Sequence, residues 1–290
     1  MKFTDGKIEL VIPAVLGDND FDRLGKFIMS QYGIKMPPQK KAFLQSRLQK
    51  RLKELNFTDF AAYIDFVFSS RGRTEELSSM IDSVCTNKTD FFREPVHFDF
   101  LLSQGLGDIT ARTGKKNLAV WSAGCSTGEE PYTIAMLMKE YGKIHQHIDF
   151  RILATDISNS VLQHAEVGIY TDDKTTMIPA SYRVKYLQKG KGAYEHKVRV
   201  VSDLRSTVTF QQFNLLEKDY SGIGMFDIIF CRNVLIYFER EIQYKILRQF
   251  CRHISPGGYL FLGHSESIAG FDLPLAHIKP TIFMKTDRQA

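Results

Sequence analysis

The sequence has 290 residues, of which 43% are hydrophobic and 24% charged, and its formal net charge is +5. This length suits two domains with ordinary cores. No apolar run approaches the roughly 18 residues that a membrane span needs, and the polar first residues do not resemble a secretory signal. We therefore expect a cytoplasmic protein without direct membrane insertion. The modest positive charge fits an acidic partner without requiring nucleic acid.

The four cysteines lie far apart and include no Cys-x-x-Cys pair. This spacing indicates reduced thiols rather than a disulfide or zinc framework. His145 and His147 are two residues apart in a polar connection, and we do not interpret them as a metal site. The sequence therefore predicts no metal.

Residues 1–110 are predicted to form an N-terminal helical domain and its linker. Helical patterns of apolar residues cover residues 21–32, 39–55, 58–67 and 77–84. The first pattern stops at Gly33, and Thr58 is the expected N-cap of the third helix. Four amphipathic helices with short connections predict a small bundle.

Residues 111–290 show a different pattern, in which short apolar runs rich in β-branched residues alternate with helical segments. Strands are predicted over residues 118–121, 150–155, 208–212, 226–230 and 259–262, and helices over residues 131–141, 158–166 and 240–253. This alternation indicates an α/β fold with a doubly wound, Rossmann-like parallel sheet and helices on both faces. Residues 168–205 interrupt the alternation and are expected to form a small inserted β-subdomain.

The turn after the first strand, residues 122–131, combines small residues with two acids. It is not a GxGxxG motif, and Pro131 occupies a favoured first position of the following helix. Glu129 and Glu130 would repel a pyrophosphate at the helix N-terminus. They instead favour a positively charged ligand without phosphate. A tight turn with two solvated acids is the alternative interpretation.

Two further strand ends carry side chains suited to an adenosine. Asp156 ends the second strand, where a carboxylate accepts both hydroxyls of a ribose. Asn214 and Leu215 follow the next strand, where an amide and an apolar side chain suit the edge and the face of an adenine. Turn chemistry is the alternative explanation for Asn214. Together with the acidic turn, these residues predict S-adenosylmethionine as the cofactor.

Asn233 and Tyr237 follow the fourth strand, at the same carboxyl edge, where the reactive methyl group is expected. A tyrosine ring beside a sulfonium gains cation–π attraction of roughly 0.5–2 kcal/mol. We therefore assign Tyr237 to the wall that faces the methyl group. The alternative is that Tyr237 and Phe238 are aromatic residues that pack a helix.

Six motifs of the chain resemble the signatures of the CheR-type chemoreceptor methyltransferases. They are TNKTDFFRE (86–94), VWSA (120–123), STGEEPY (126–132), NLLEK (214–218), FCRNV (230–234) and GHSE (263–266). The resemblance runs in order over most of the chain. It implies a class I methyltransferase sheet with an N-terminal helical domain and an inserted β-subdomain. It also implies methyl transfer from S-adenosylmethionine to glutamate side chains of methyl-accepting chemoreceptors, with S-adenosylhomocysteine as the other product.

The resemblance also implies the residues of the cofactor site. They are Asn87, Thr89 and Arg93 from the segment that links the domains, and Glu130, Asp156, Asn214, Leu215, Arg232 and Asn233 from the sheet. Arg93 is further expected to orient the substrate carboxylate or the cofactor. Periodicity alone predicts only a polar bend for the linking segment.

Residues 35–53 contain several basic residues and no acid. Arg47, Lys50 and Arg51 fall on one face of the predicted helix. A basic face is usually only solvated. Because the resemblance implies a substrate helix that carries glutamates, we expect this face to bind the cytoplasmic helical domain of a chemoreceptor.

A glycine-rich loop in the inserted subdomain tethers some family members to a short C-terminal peptide of the receptor. The corresponding loop here, residues 189–196, has His196 where a third glycine is expected. The sequence therefore does not predict peptide tethering.

The expected reaction needs no general base, because an ionised glutamate with an unperturbed pKa of about 4.3 attacks the methyl group directly. One alternative is a nucleic-acid methyltransferase, although those acting on exocyclic amines commonly carry an Asn/Asp-Pro-Pro-aromatic motif where this chain has CRNV. A second alternative is an inactive scaffold that senses S-adenosylmethionine. We expect a monomer that does not bind nucleic acid.

Overall fold

A computed structural model describes residues 3–4, 7–8, 14–145 and 148–287, so that His147 lies outside the described residues. The chain divides into two compact units, Met1–Cys85 and Thr86–Ala290. This division comes earlier than the predicted boundary near residue 110. The reason is that Phe98 and Leu101 are buried in a core that also contains strands of the sheet.

The first unit is a helical bundle. Its elements are β1 (Phe3–Thr4), β2 (Lys7–Ile8), α1 (Asp18–Tyr32), α2 (Lys41–Glu54), α3 (Phe60–Phe68), α4 (Ser70–Glu75) and α5 (Leu77–Val84). The four predicted helices are present, and α4 is an additional short one. Leu24, Leu48 and Tyr63 are fully buried, so the apolar helix faces meet in one core.

Two helix ends were predicted in this unit, the C-terminal end of α1 and the N-cap of α3. Gly33 follows α1 with a φ of 67°, in the left-handed region that suits glycine, as predicted. The predicted N-cap Thr58 is wrong by one residue. The carboxylate of Asp59 caps α3 instead, because it accepts the N–H of Ala62 at 2.8 Å.

The second unit contains the sheet. Its elements are α6 (Pro95–Phe100), a π-helical turn (Leu101–Gly105), α7 (Leu106–Thr113), β3 (Asn117–Ala123), α8 (Glu129–Ile144), β4 (Asp149–Asp156), α9 (Asn159–Val167), β5 (Ile169–Thr171), α10 (Ala180–Tyr186), β6 (Leu187–Lys189), β7 (Lys197–Val200), α11 (Ser202–Arg205), β8 (Val208–Gln212), β9 (Phe226–Cys231), α12 (Arg240–His253), β10 (Ile254–Leu262), β11 (Leu275–Lys279) and β12 (Ile282–Lys285). Helix α8 begins at Glu129, so that Pro131 is its third residue rather than its first.

Seven strands form one sheet in the order β11-β12-β10-β9-β3-β4-β8. The five strands from β10 to β8 are parallel, and β12 and β11 join antiparallel. The predicted doubly wound sheet is confirmed. Strand order reverses between β3 and β9, and ligands of such sheets bind at the carboxyl ends beside this point.

Helices cover both faces of this sheet. Val120 and Ile228 point into one buried cluster, whereas their neighbours Trp121 and Ile229 point into a second cluster on the other face. All residues of β9 are buried. Burial on both faces explains why the central strands are continuous apolar runs.

The inserted segment forms a separate antiparallel sheet of β5, β7 and β6, within the predicted range 168–205. In the loop before β7, His196 has a φ of 62°, so a non-glycine residue adopts a left-handed conformation there. Among the described residues, no helix is both long enough and apolar enough to cross a membrane.

Candidate functional site

The carboxyl ends of β9, β3, β4 and β8 lie side by side because these strands are parallel neighbours. The chain turns sharply after β3 at Gly124, which has a φ of 83°. A Cβ at Gly124 would overlap the side chain of Val234, so glycine allows the loops after β3 and β9 to approach. The N–H groups of Gly124 and Cys125 donate to the carbonyl of Thr155 at 2.8 and 2.9 Å. The turn is therefore fixed against the end of β4.

Asp156 ends β4 and is half-buried beside this turn. One carboxylate oxygen accepts the N–H of Ser126 at 2.9 Å, and the other accepts the N–H of Ser158 at 3.0 Å. Two backbone donors thus fix the orientation of the carboxylate at the edge where a nucleoside is expected. Its contact with a ribose stays a prediction.

The two acids that begin α8 are not solvated, because Glu129 is buried and the Glu130 side chain is only 12% exposed. Glu129 is 2% exposed and accepts the hydroxyl of Thr127 at 2.6 Å, while Glu130 accepts the hydroxyl of Ser122 at 2.7 Å. Burial raises the pKa of both carboxyl groups above the usual value. The alternative interpretation of two solvated acids is therefore wrong.

Arg232 follows β9, and its side chain is 2% exposed. The guanidinium donates to Glu130 at 3.2 Å and to one oxygen of Glu94 at 3.2 and 3.4 Å. It also donates to the backbone carbonyl of Arg93 and lies 5.1 Å above the centre of the Phe98 ring. One buried guanidinium meets two carboxylates, so these three side chains carry a net negative charge when both acids are ionised.

Glu94 is the acid of this group whose pKa lies below its usual value. Burial acts to raise the pKa of Glu94, but the Arg232 guanidinium, the Asn233 amide and the His264 backbone N–H outweigh burial and hold the pKa below its usual value. The same guanidinium opposes burial at Glu130 without overcoming it. The two carboxylates of one network therefore have pKa values shifted in opposite directions.

The loop that carries Asn233 is held by a buried acid, Glu266. Asn233 has a φ of 60°, and its side-chain amide donates to Glu94 at 3.3 Å. The Glu266 carboxylate accepts four backbone N–H groups, those of Asn233 (3.0 Å), Val234 (2.8 Å), Leu235 (2.6 Å) and Gly263 (2.6 Å). Despite these donors, burial raises the pKa of Glu266. Glu266 thus joins the loops after β9 and β10.

The segment that precedes α6 runs along this edge of the sheet. The carbonyl of Asn87 accepts the hydroxyl of Ser126 at 3.0 Å. The guanidinium of Arg93 donates to the carbonyl of Lys88 at 3.0 Å. Thr89, which lies between these two residues in the sequence, is half-buried. The structure therefore brings the linking segment to the turn after β3, where periodicity predicted only a polar bend.

The loop after β8 is stabilised by hydrogen bonds between its own residues. The side-chain oxygen of Asn214 accepts the N–H of Leu216 at 3.0 Å, which is the turn chemistry considered as the alternative. Leu215 is buried, and its carbonyl accepts the hydroxyl of Tyr220 at 2.6 Å. Contact of Asn214 and Leu215 with an adenine stays a prediction.

Tyr237 lies in the single helical turn Leu235–Tyr237 and is half-buried. The neighbouring Phe238 is buried in the core cluster that contains Trp121. The packing alternative therefore describes Phe238. The position of Tyr237 opposite the methyl group stays a prediction.

The basic residues of α2 differ from one another in exposure. Arg47 is exposed, with its guanidinium 5.1 Å above the ring centre of Phe43. The Lys50 side chain is 82% exposed and lies 3.6 Å from Glu54. Both side chains are accessible within the bundle, as the docking prediction requires.

Arg51 has partners that the sequence analysis did not predict. Its side chain is 20% exposed and donates to Glu76 at 2.8 Å, and it also pairs with Glu54. Glu76 is 2% exposed and accepts the hydroxyl of Tyr63 at 2.8 Å as well. Arg51 therefore pairs with a buried acid of the bundle, and its contact with a receptor helix stays a prediction.

Glu94, Ser122 and Glu266 contact the predicted site residues but were not predicted to do so. Glu94 and Glu266 were noted only as parts of motifs, because neither ends a strand. Glu94 lies 138 positions from Arg232 in the sequence. An acid directly before Pro95 at a helix start was the one local signal for Glu94.

Comparisons with known proteins agree with this geometry. The all-alpha domain of CheR methyltransferases matches residues 19–85, and the S-adenosylmethionine-binding domain of CheR methyltransferases matches residues 87–284. A chemotaxis protein methyltransferase of Borreliella burgdorferi is 39% identical and covers 92% of this chain and 94% of its own.

Two other relatives are similar over most of both chains. The chemotaxis protein methyltransferase of Escherichia coli K12 is 38% identical, over 88% of this chain and 86% of its own. Chemotaxis protein methyltransferase 2 of Vibrio cholerae is 33% identical, over 91% of each chain. The chain therefore belongs to the CheR methyltransferase family and is an S-adenosylmethionine-dependent methyltransferase.

Proposed function

We propose that the chain methylates glutamate side chains on the cytoplasmic helical domain of methyl-accepting chemoreceptors. The products are glutamate methyl esters and S-adenosylhomocysteine. The observation that carries the proposal is the charge balance at the carboxyl edge, where Glu94 and Glu130 share the guanidinium of Arg232. A surplus of negative charge suits a sulfonium nucleoside, and the names of the relatives, which are chemotaxis methyltransferases, support a receptor as the substrate.

The residues present fit this cofactor. Bound S-adenosylmethionine supplies an electrophilic methyl group on a positively charged sulfur. Asp156, held by two N–H donors, is positioned to accept ribose hydroxyls, and the loop of Asn214 and Leu215 suits the adenine. The remaining proposed cofactor contacts are Asn87, Thr89, Arg93, Glu130, Arg232 and Asn233. The surplus negative charge would repel a pyrophosphate at the same place.

Arg93 and Tyr237 are the proposed catalytic residues. A guanidinium has five N–H donors, so the hydrogen bond from Arg93 to Lys88 leaves donors that can orient a substrate carboxylate. Orientation has to be loose, because a tight grip on the carboxylate stabilises the ground state and slows transfer. Tyr237 forms the wall of the site that faces the methyl group. No residue has to remove a proton, so the protein contributes in-line positioning and exclusion of water.

The exposed basic side chains of α2 are the proposed receptor-binding residues. Arg47 and Lys50 present positive charge, and a receptor helix that carries glutamates presents negative charge. Arg51 contributes by stabilising the bundle through Glu76. We propose that the enzyme acts as a monomer on protein and not on nucleic acid.

The test is methyl transfer from methyl-labelled S-adenosylmethionine to receptor-rich membranes. We expect label in protein of receptor size, and we expect mild base to release it as methanol because methyl esters hydrolyse readily. The Arg93→Ala variant is the matched control. Label that resists base, or label in nucleic acid, would overturn the glutamate assignment. Cofactor binding by calorimetry without any transfer would favour the scaffold instead.

A further inference from the structure

Three potential metal ligands converge beside the Arg232 network. Glu94, His97 and His264 each offer one ligand atom, and these atoms all lie within 4.8 Å of one another. One oxygen of Glu94 is 3.6 Å from Nδ1 of His97 and 3.9 Å from Nε2 of His264. Two imidazoles and a carboxylate are a ligand set that zinc and related divalent transition metals bind.

The ring of His97 is 1% exposed and has a hydrogen-bond partner at Nε2. Its Nε2 lies 2.8 Å from the hydroxyl oxygen of Thr281, and that hydroxyl donates its own proton to the carbonyl of Pro280 at 2.8 Å. In the tautomer with its proton on Nε2, the ring donates to this hydroxyl oxygen and Nδ1 has a lone pair.

The Nδ1 lone pair of His97 is buried, and no hydrogen-bond partner for it exists among the described residues. It faces an oxygen of Glu94 at 3.6 Å, so that in this tautomer two acceptors face each other inside the protein. Such an arrangement is unfavourable unless a donor or a cation lies between the two atoms.

The spacing of the atoms favours a metal ion over a water molecule. A tetrahedral zinc ion with bonds of about 2.0–2.1 Å places its ligands about 3.4 Å apart. The observed separations of 3.6 and 3.9 Å are close to this value. A water molecule with tetrahedral hydrogen bonds of about 2.8 Å would hold the two acceptors about 4.6 Å apart.

Access and charge also suit an ion. The His264 side chain is 55% exposed, so it borders solvent and can move to complete the ligand set. Glu94 and Glu130 together outweigh the single positive charge of Arg232. Arg232 donates to the same oxygen of Glu94, but a carboxylate oxygen has two lone pairs, one for the guanidinium and one for a metal.

We propose that Glu94, His97 and His264 form a binding site for Zn²⁺ or a related divalent transition metal, with a fourth position open to solvent. A bound ion reverses the local charge, because two positive charges exceed the surplus of one negative charge. The ion therefore opposes binding of the sulfonium cofactor. The opposition between ion and cofactor rests on the proposed function, whereas binding of the ion does not.

Calorimetry with zinc chloride and the full chain without cofactor tests the site. We expect one tight binding event. Loss of a residue that only supports a metal ligand weakens metal binding by roughly 10–100-fold. His264→Ala removes a ligand itself and should therefore weaken zinc binding by more than this. The matched control is His277→Ala, which removes another exposed histidine of the same unit and should leave zinc affinity unchanged. Equal affinities of the wild type and His264→Ala, or no binding, would overturn the proposal.

Cobalt(II) provides a readout that is independent of binding heat. Visible absorption typical of tetrahedral cobalt is expected for the wild type and His277→Ala and should be absent from His264→Ala. The same spectrum in all three proteins would overturn the assignment of the ligands.

The charge competition has its own test. S-adenosylmethionine should weaken zinc binding by at least about tenfold, or 1.4 kcal/mol, whereas neutral S-adenosylhomocysteine should weaken it less. Equal effects of the two would overturn the competition. Failure of the proposed methyl transfer would instead be seen in the ester assay, in which no zinc is present.

Discussion

The two units each contain an arginine that pairs with two glutamates, and the two networks differ in charge balance. In the bundle, Arg51 pairs with Glu76 and Glu54, and Lys50 adds a second cation near Glu54. Positive and negative charges are equal there, and the hydroxyl of Tyr63 completes the shell of Glu76. A balanced network of this kind stabilises the unit.

At the edge of the sheet, two acids share one guanidinium, so a negative charge remains. Arg232 donates to both Glu94 and Glu130, and the pKa of Glu130 is raised by burial while that of Glu94 is lowered. Folding alone gains little from such an imbalance. Comparison of the two networks indicates that surplus negative charge, rather than the presence of an arginine between two acids, distinguishes a ligand site from a structural ion pair.

The largest expected effect is that of Arg232→Met. Removal of the guanidinium leaves two mostly buried acids without their cation, and the free energy of unfolding should fall by about 3–5 kcal/mol. Without the guanidinium, the largest cause that lowers the pKa of both acids is gone, while burial, which raises it, remains. Their contribution to stability is therefore lost as pH rises, and the deficit should be larger at about pH 8 than at about pH 5.

Urea unfolding at the two pH values measures this effect. Arg205→Met is a matched control, because Arg205 donates only to backbone carbonyls in the contacts described for it. A loss below about 1 kcal/mol for Arg232→Met, or one that shrinks as pH rises, would contradict the proposed charge balance.

Arg93→Ala should affect catalysis and leave stability almost unchanged. The backbone carbonyl of Arg93, which any residue supplies, accepts from Arg232, so the network survives the substitution. We expect the rate of methyl transfer to fall by about 10²–10³-fold and the free energy of unfolding to change by less than about 0.5 kcal/mol. Single-turnover transfer and urea unfolding measure the two quantities. Turnover near that of the wild type would exclude Arg93 from catalysis.

Arg51→Met should show the opposite pattern. Glu76 loses its cation, and because the Arg51 side chain is partly exposed, the free energy of unfolding should fall by about 2–3 kcal/mol. Cofactor affinity, measured by calorimetry well below the unfolding temperature, should equal that of the wild type. A tenfold loss of cofactor affinity would mean that the bundle network is not purely structural.

Reversal of charge at Arg47 and Lys50 should produce a smaller effect that depends on salt. The double substitution to Glu should weaken receptor binding by about tenfold at low salt, and the difference should shrink as salt screens the exposed charges. Sedimentation with receptor-rich membranes measures binding. Reversal at Lys26 and Lys53, which are also exposed in the bundle, controls for net charge. Equal losses in both variants would reject a specific basic face.

Glu140→Gln should have the smallest effect, in a network that is not part of the site. Burial acts to raise the pKa of Glu140, but hydrogen bonds from Lys143, Lys185 and Tyr186 outweigh burial and lower the pKa to about 2. The contribution of Glu140 is thus present above the unfolded pKa and is lost as pH falls towards about 2. Unfolding in urea should show a deficit of about 1 kcal/mol at neutral pH that vanishes near pH 2. A deficit that persists there would contradict the ionic cause.

Much of the sheet could be predicted from the sequence because its central strands are buried on both faces. Strand β9 consists of buried residues throughout, whereas β11 has only half-buried and exposed residues and gave no comparable signal. Asp156 and Arg232 could be placed at one edge because parallel strands align their carboxyl ends. Glu94, His97 and Glu266 could not be placed, because their roles depend on contacts between distant segments that appear only in the folded chain.

The four hydrogen bonds that Glu266 accepts also bear on the order in which the site is completed. A chain synthesised from its N-terminus releases Glu130, Asp156 and Arg232 from the ribosome before Glu266. The loop of Asn233 therefore lacks the acceptor of its N–H groups until β10 and the residues after it have been made. A nascent chain can thus form most of the parallel sheet early, while its capacity to hold a cofactor arrives with the last part of translation.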